Sequence, residues 1–410
     1  MRRVAVTGIG VVSPLGPSPQ EVFEAARAGR SGIHRLDIPG AHRLAAPLAA
    51  TVNFDGSEHF EPPQQRLLDR VSQFAVVAAR RAFADAQCDL TDLERERTGV
   101  FLGTGMGGTL SMDDGYQTLY GQQSDRIKPM MILQGMHNAP AGWIAIEHQL
   151  RGPALTYSTA CSSSGVAIGE AWLRLASGAL DVAIAGGSEA PLSLGSLKAW
   201  EAMHTLASVD ATDPATTCKP FSKNRSGMVL GEGAALVVLE PWERALARGA
   251  TLYGEIIGYG LTTDVGHIAR PSVQGQAAAI RSALASAGLS AQDVDSINAH
   301  GTGTQANDSV ETSAIKLVFG TRANRVPISA TKAVHGHLLG AAGALECVLS
   351  LLALQHNVAL PTMHLQEPDP QCDLDYVANV ARLGAAGQTM LSHSFAFGGT
   401  NAVLALRAAG

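Results

Sequence analysis

A single cysteine, Cys161, stands between a run of β-formers, Ala154 to Ala160, and a run headed by Ser162-Ser163-Ser164-Gly165. The first run predicts a buried strand, and the small hydroxyl residues of the second predict the N-terminus of a helix. A thiol on such an elbow faces unpaired backbone N–H groups and the positive end of the helix dipole, which favours thiolate and makes a nucleophile. An ordinary buried cysteine is the competing reading of that residue alone. Two later segments weigh against it. Ser296-Ile297-Asn298-Ala299-His300 reads as a short strand ending on a histidine and entering the loop Gly301-Thr302-Gly303-Thr304. Ser329-Ala330-Thr331-Lys332 then leads through His335-Gly336-His337 into a helix of small residues. Loops on a rigid sheet commonly carry reacting groups. One cysteine, two histidines and a lysine suffice for thioester chemistry, in which sulfur attacks a carbonyl and imidazole N–H groups stabilise an enolate oxygen.

These segments resemble the elongating β-ketoacyl-acyl-carrier-protein synthases, the Cys-His-His condensing enzymes of the thiolase superfamily. The likeness runs from Val4-Ala5-Val6-Thr7-Gly8 to Phe397-Gly398-Gly399-Thr400-Asn401, nearly the whole chain, with the intervening motifs in the family's order. It implies an α/β thiolase fold of five layers, αβαβα, built from two duplicated halves. It also implies decarboxylative condensation of a Cys161-bound acyl chain with malonyl-acyl carrier protein. By the same resemblance His300 and His337 donate to the enolate, Lys332 orients the site, with Glu311 as its companion, and the N–H groups of Cys161 and Phe397 form an oxyanion hole. Phe397 acts as a gate, and Thr302 and Thr304 meet the phosphopantetheine arm. That arm arrives on the carrier protein, so no cofactor and no metal is expected. Met106, Trp200 and Phe395 fall where the family lines its acyl pocket, and Arg66, Arg70, Arg126 and Lys128 where it meets its carrier. A homodimer is expected, or a heterodimer with a related subunit. Five positions depart from the pattern: Ala396 replaces a hinge glycine, Trp200 and Met106 replace smaller residues, His335 replaces a threonine, and Arg270 enters the second gating loop, Asp264 to Pro271. They point away from common saturated chains and towards a polyketide or polyene substrate.

The chain repeats itself faintly, independently of any family. Phe101-Leu102-Gly103-Thr104-Gly105 echoes Ala299-His300-Gly301-Thr302-Gly303, and each echo is followed by a small-residue helix, Val166 to Ser177 and Ala341 to Leu354. Strand-like runs, Ala234 to Leu239 and Ala402 to Leu406, close the two halves. Two packed sheets with helices between and outside follow. The halves divide as 1–249, carrying the cysteine, and 250–410, carrying the histidines.

Composition excludes other classes. A net charge of −6 gives no reason to expect nucleic-acid binding. No apolar run is read as long enough to span a membrane. Five scattered cysteines suggest free thiols in a reducing cytoplasm. Gly103-Thr104-Gly105-Met106-Gly107-Gly108 fits a dinucleotide loop by letter, but the acidic residue that should follow on the next strand is missing. His335, His337, His300 and Cys161 could form a metal set, weakened by the lack of a nearby carboxylate to orient the imidazoles. A non-catalytic chain-length partner would lack the cysteine. A thiolase acting on coenzyme A esters would carry a second cysteine where this chain reads Phe395-Ala396-Phe397-Gly398-Gly399.

Overall fold

The computed structural model describes residues 1–409. Among them, ten strands form one mixed sheet. The first half supplies β1 (Val4–Val12), β2 (Thr98–Gly103), β3 (Ala154–Tyr157), β4 (Val182–Glu189) and β5 (Gly233–Pro241). The second supplies β6 (Gly254–Thr263), β7 (Ser296–Asn298), β8 (Ile328–Ser329), β9 (Thr389–Phe395) and β10 (Thr400–Arg407). Strand order is β8-β7-β9-β10-β6-β1-β5-β4-β2-β3. Each half therefore has the same internal order, and the sequence echo at Phe101 and Ala299 marks β2 and β7, which hold equivalent places. Instead of two separate sheets, the halves are stitched into one ladder where Val4–Val6 pairs with Gly254–Ile256.

Helices make the remaining layers. α1 (Arg70–Ala86) covers the outer face of the first half. α2 (Ser163–Ala176) and α3 (Leu194–Ala202) follow β3 and β4. α4 (Val273–Ala287) and α5 (Gln305–Phe319) cover the second half. α6 (Ala342–His356) packs beside α2 in the middle layer. α6 lies between the two halves of the sheet, so its apolar residues run all round instead of forming a stripe. In α6 every residue from Ala342 to Leu354 is buried.

Two sequence expectations change here. The Leu339–His356 segment is long and apolar enough to cross a membrane by composition, yet it is 89% buried as the central core helix. The strand before Cys161 ends at Tyr157 and is not buried: Ala154 and Leu155 are exposed because β3 is the terminal strand of the sheet. Alternation is read equally from an edge strand and a core strand, and only the sheet order separates them.

α2 and α6 meet at their N-terminal turns through glycine. A Cβ on Gly343 would come within 2.6 Å of Ser394 Oγ and 3.2 Å of Gly165 N. Ser164 Oγ accepts the Ala344 N–H at 2.9 Å across the same contact. Gly343→Val is expected to destabilise the protein by about 1–3 kcal/mol through overpacking, read as a lower melting temperature in calorimetry. An unchanged melting temperature would mean the helices can separate freely.

Candidate active site

The helix contact sets the site, because Cys161 precedes α2 and His337 precedes α6. Chain leaving β3 turns sharply: Ala160 sits at φ +50, an uncommon left-handed conformation for alanine, and Cys161 follows within a 3-10 turn, Ala160–Ser162. Ser163 Oγ ties the elbow down by donating to Ala160 O at 2.6 Å and accepting the Thr159 N–H at 2.9 Å. His300 follows β7. His337 follows the short helix Lys332–His335, a segment whose sequence reads as loop.

Cys161 Sγ and one ring nitrogen of each histidine all lie within 4.8 Å of one another. The two rings stand edge to face, centroids 5.4 Å apart. His337 Nδ1 accepts the Leu339 N–H at 3.2 Å. Lys332 Nζ lies 3.3 Å from His300 Nδ1 and donates to His300 O at 2.7 Å. Both Nδ1 atoms are thus acceptors, and each Nε2 carries its proton towards the site. Burial holds both imidazoles well below the usual histidine value, with Lys332 adding to the effect, so both are neutral donors.

Cys161 departs from expectation. Burial pushes its thiol up to about 12, overriding the Lys332 charge and the N–H groups of Phe397 and Cys161 that favour thiolate. Desolvation is the larger effect because the residue is almost wholly enclosed. The resting nucleophile is a thiol.

Lys332 is 0% exposed and ion-paired with Glu346, not Glu311. Burial raises the Glu346 carboxyl to about 7 while Lys332 pulls it down. Glu346 is the sole charged residue in α6, which was the available sequence signal: a carboxylate in a wholly apolar helix needs a buried partner. Glu311 instead accepts the N–H groups of His300 at 2.8 Å and Gly301 at 2.9 Å, and lies 3.1 Å from His393 Nδ1. It fixes the backbone that carries His300. Sequence reasoning also passed over Arg225 and Asp308. Buried Arg225 binds Asp369 and the carbonyl of Thr304, while Asp308 accepts the Phe221 N–H.

A cleft of about 680 Å³ opens onto this floor. Thr302, Thr304, Phe395, Ala396 and Phe397 line it, with Arg270 on its rim. Thr304 also caps α5 by accepting the Asn307 N–H at 3.2 Å. Met106 and Trp200 do not line the cleft. They belong with Cys161, Met228 and Leu339 to an apolar cluster, and Phe397, common to cleft and cluster, packs 6.0 Å from the Trp200 ring. Ala396 does not adopt a left-handed backbone; Gly398 and Gly399, at φ +86 and +83, supply that conformation next to Phe397. The glycine-rich loop after β2 is also accounted for: Gly105 and Met106 N–H groups donate to buried Glu189 at 2.6 and 3.0 Å, where a dinucleotide loop would present them to phosphate.

The cysteine and two histidines are close enough to hold a metal ion. Their surroundings oppose it, since the Lys332 cation stands behind one imidazole and no carboxylate backs the other. His335 faces away, its Nε2 lying 3.0 Å from Thr331 Oγ1.

Arg66, Arg126 and Lys128 line one surface groove, beside Met130. Arg70 reaches its inner end but is not free to dock a carrier: its guanidinium grips Glu232 at 2.7 and 2.8 Å and lies over the Phe74 ring. Lys128 pairs with exposed Asp114 at 2.7 Å, which leaves Arg66 and Arg126 without an ion pair among the described residues.

Residues 1–245 match the family model for the β-ketoacyl synthase N-terminal domain, and residues 253–366 match its C-terminal domain. The chain belongs to the β-ketoacyl synthase family. It is a ketosynthase, an acyltransferase that joins two acyl units by Claisen condensation into a β-ketoacyl product. It is 43% identical over 406 residues to nodulation protein E of Rhizobium sp. (strain N33), covering 99% of each chain. It is 40% identical over 411 residues to 3-oxoacyl-[acyl-carrier-protein] synthase 2 of Coxiella burnetii, covering 99% of this chain and 98% of that one. A solved complex of a type II PKS acyl-carrier protein with its ketosynthase, AntDE:AntF, superposes with TM-score 0.92 at 31% identity over the full length of both chains.

A thiol held near 12 has little thiolate at neutral pH. Alkylation of Cys161 by iodoacetamide, followed by mass spectrometry, should therefore rise about tenfold per pH unit from pH 7 to 9. A plateau already reached at pH 7 would reveal a resting thiolate.

Proposed function

We propose that this ketosynthase condenses a Cys161-bound acyl chain with malonyl-acyl carrier protein. The observation that carries the reading is the convergence of Cys161 Sγ with two neutral Nε2–H donors on the floor of one cleft. The protein binds no cofactor of its own in this reading, and the thioester arrives on the carrier's phosphopantetheine arm past Thr302 and Thr304. The halves 1–249 and 250–410 contribute the nucleophile and the two donors respectively.

In the first half-reaction the Cys161 sulfur attacks the donor carbonyl. The N–H groups of Cys161 and Phe397 meet the oxyanion, and the carrier leaves as a thiol with the proton that Cys161 gives up. In the second, the malonyl carboxylate departs as carbon dioxide and its bonding pair becomes an enolate. His300 and His337 donate to the enolate oxygen, and Lys332 holds His300 in the donating tautomer. The enolate carbon then attacks the acyl carbonyl, and Cys161 leaves and regains a proton. Phe397 must swing off Trp200 for a chain to enter the cluster around Met106, which makes that indole the wall against which chain length and shape are selected. A flat conjugated chain would stack there.

The intact cysteine, histidines and lysine support a catalytic chain over a non-catalytic partner subunit, and the absence of a second cysteine after Phe395 disfavours a thiolase. We further propose a homodimer formed through the free edge of β3. The preceding segment exposes Tyr120, Ile132 and Ile146, and an open edge with apolar neighbours seeks a partner. Five free thiols, all buried, fit a cytoplasmic protein.

His300→Ala or His337→Ala should retain acyl loading at Cys161 and lose about 10²–10³-fold in carbon dioxide release. Because both imidazoles are neutral well below 6.5, decarboxylation by the wild type should not fall as pH drops through that value. Normal decarboxylation in both variants would remove the histidines from the mechanism. At the groove, Arg66→Glu with Arg126→Glu should raise KM for carrier-bound substrate and flatten its salt dependence, sparing a small pantetheine thioester. Equal harm to both substrates would place the fault in folding.

A further inference from the structure

Arg270 belongs to none of the roles above, yet it lines the cleft. Its surroundings make it distinctive. Apart from histidine, the cleft's charged lining is Asp264 and Arg270 alone. Asp264 is fully engaged: Oδ1 accepts from Asn401 at 2.9 Å, and Oδ2 accepts the Ser272 N–H at 3.0 Å. The Arg270 side chain is exposed and has no ion pair or hydrogen bond among the described residues. Asp264 thus spends its oxygens on neutral donors, and Arg270 is the one charged group of the lining, among the described residues, whose hydrogen-bonding capacity is unspent.

The loop that carries Arg270 is held in register with the gate. Gly398 donates its N–H to Ile268 O at 2.7 Å, and Asp264 donates its N–H to Gly399 O at 2.8 Å. Its rim position is therefore fixed relative to Phe397. A thioester that reaches the floor through this cleft threads its arm past that rim. In a carrier-protein substrate the outer end is a phosphodiester, and a guanidinium matches phosphate oxygens with two parallel N–H donors.

We propose that Arg270 is a specificity-determining residue that binds the phosphate ester at the outer end of the substrate's thiol arm, as presented by a carrier protein. This rests on the reading of Cys161 as the acylated nucleophile. Phosphate chemistry is shared with coenzyme A, so the test separates the two sources.

The experiment compares malonyl-carrier protein, malonyl-coenzyme A, malonyl-phosphopantetheine and malonyl-pantetheine as extenders for the wild type, Arg270→Ala and Arg270→Lys. Arg270→Ala should raise KM about tenfold for the carrier-protein and phosphopantetheine thioesters, the lower end for a hydrogen bond to a charged group. Malonyl-pantetheine, which lacks phosphate, should keep its KM and kcat in all three proteins and so reports folding. Arg270→Lys should recover part of the loss, because a point charge replaces the paired donors. Equal KM increases with and without phosphate would overturn the proposal, as would an increase confined to the carrier protein, which would assign Arg270 to the carrier's surface, or one confined to coenzyme A. Failure of the wild type to turn over malonyl-pantetheine, with no acyl adduct on Cys161, would instead strike the reading on which the proposal rests.

Discussion

Everything at this site depends on how closely two helices approach. α2 comes from one half and α6 from the other, and they meet at their N-terminal ends, where Gly165 and Gly343 leave no side chain between backbones. One chain direction leads out of α2 to Cys161, the other out of α6 to His337. A separation larger by one methyl group would carry sulfur and imidazole apart by a distance that matters for hydrogen bonding, since productive geometry tolerates little slack. The glycines thus act through packing, and the catalytic groups inherit their spacing.

Closeness also makes the site dry, and dryness decides its charge states. Cysteine and both histidines are driven to their neutral forms by the same loss of water. Neutral imidazoles with fixed tautomers are suited to donate to a developing oxyanion, and in a medium of low dielectric such donors act strongly without reorganising. The buried Lys332–Glu346 pair is costly to desolvate and brings a charge next to His300. Its position explains the expense: it fixes one imidazole nitrogen as an acceptor, which a neutral residue could do less firmly.

Duplication distributes these tasks. β3 and β8 occupy equivalent edge positions, and the segments after them diverge into a nucleophile elbow in one half and a short helix bearing Lys332 in the other. The shared scaffold gives two matching crossovers facing the same middle layer, and the chemistry arises from their differences. The rim is similarly divided, with the gate from the turn between β9 and β10 locked to the loop after β6 by backbone hydrogen bonds.

The local signals in the chain were strong enough to point to thioester chemistry, and the resemblance carried by the ordered motifs supplied the condensation. A lone cysteine at a strand-to-helix junction, histidines at strand ends and the repeated Gly-Thr-Gly segments are written in residue type and spacing, which covalent connectivity preserves. The paired halves were legible for the same reason. What residue order could not contain was anything set by packing between distant segments. The thiol of Cys161 reads as activated when only its helix is considered, and burial in the folded chain reverses this. Lys332 reads as the companion of Glu311 until α6 is laid against it and supplies Glu346. Arg70 looks like a surface cation until Glu232 arrives from far along the chain, and Trp200 lies behind the gate and not along the cleft. Sequence fixes which groups are available; desolvation and long-range contact, which exist only in the folded state, decide their protonation and partners.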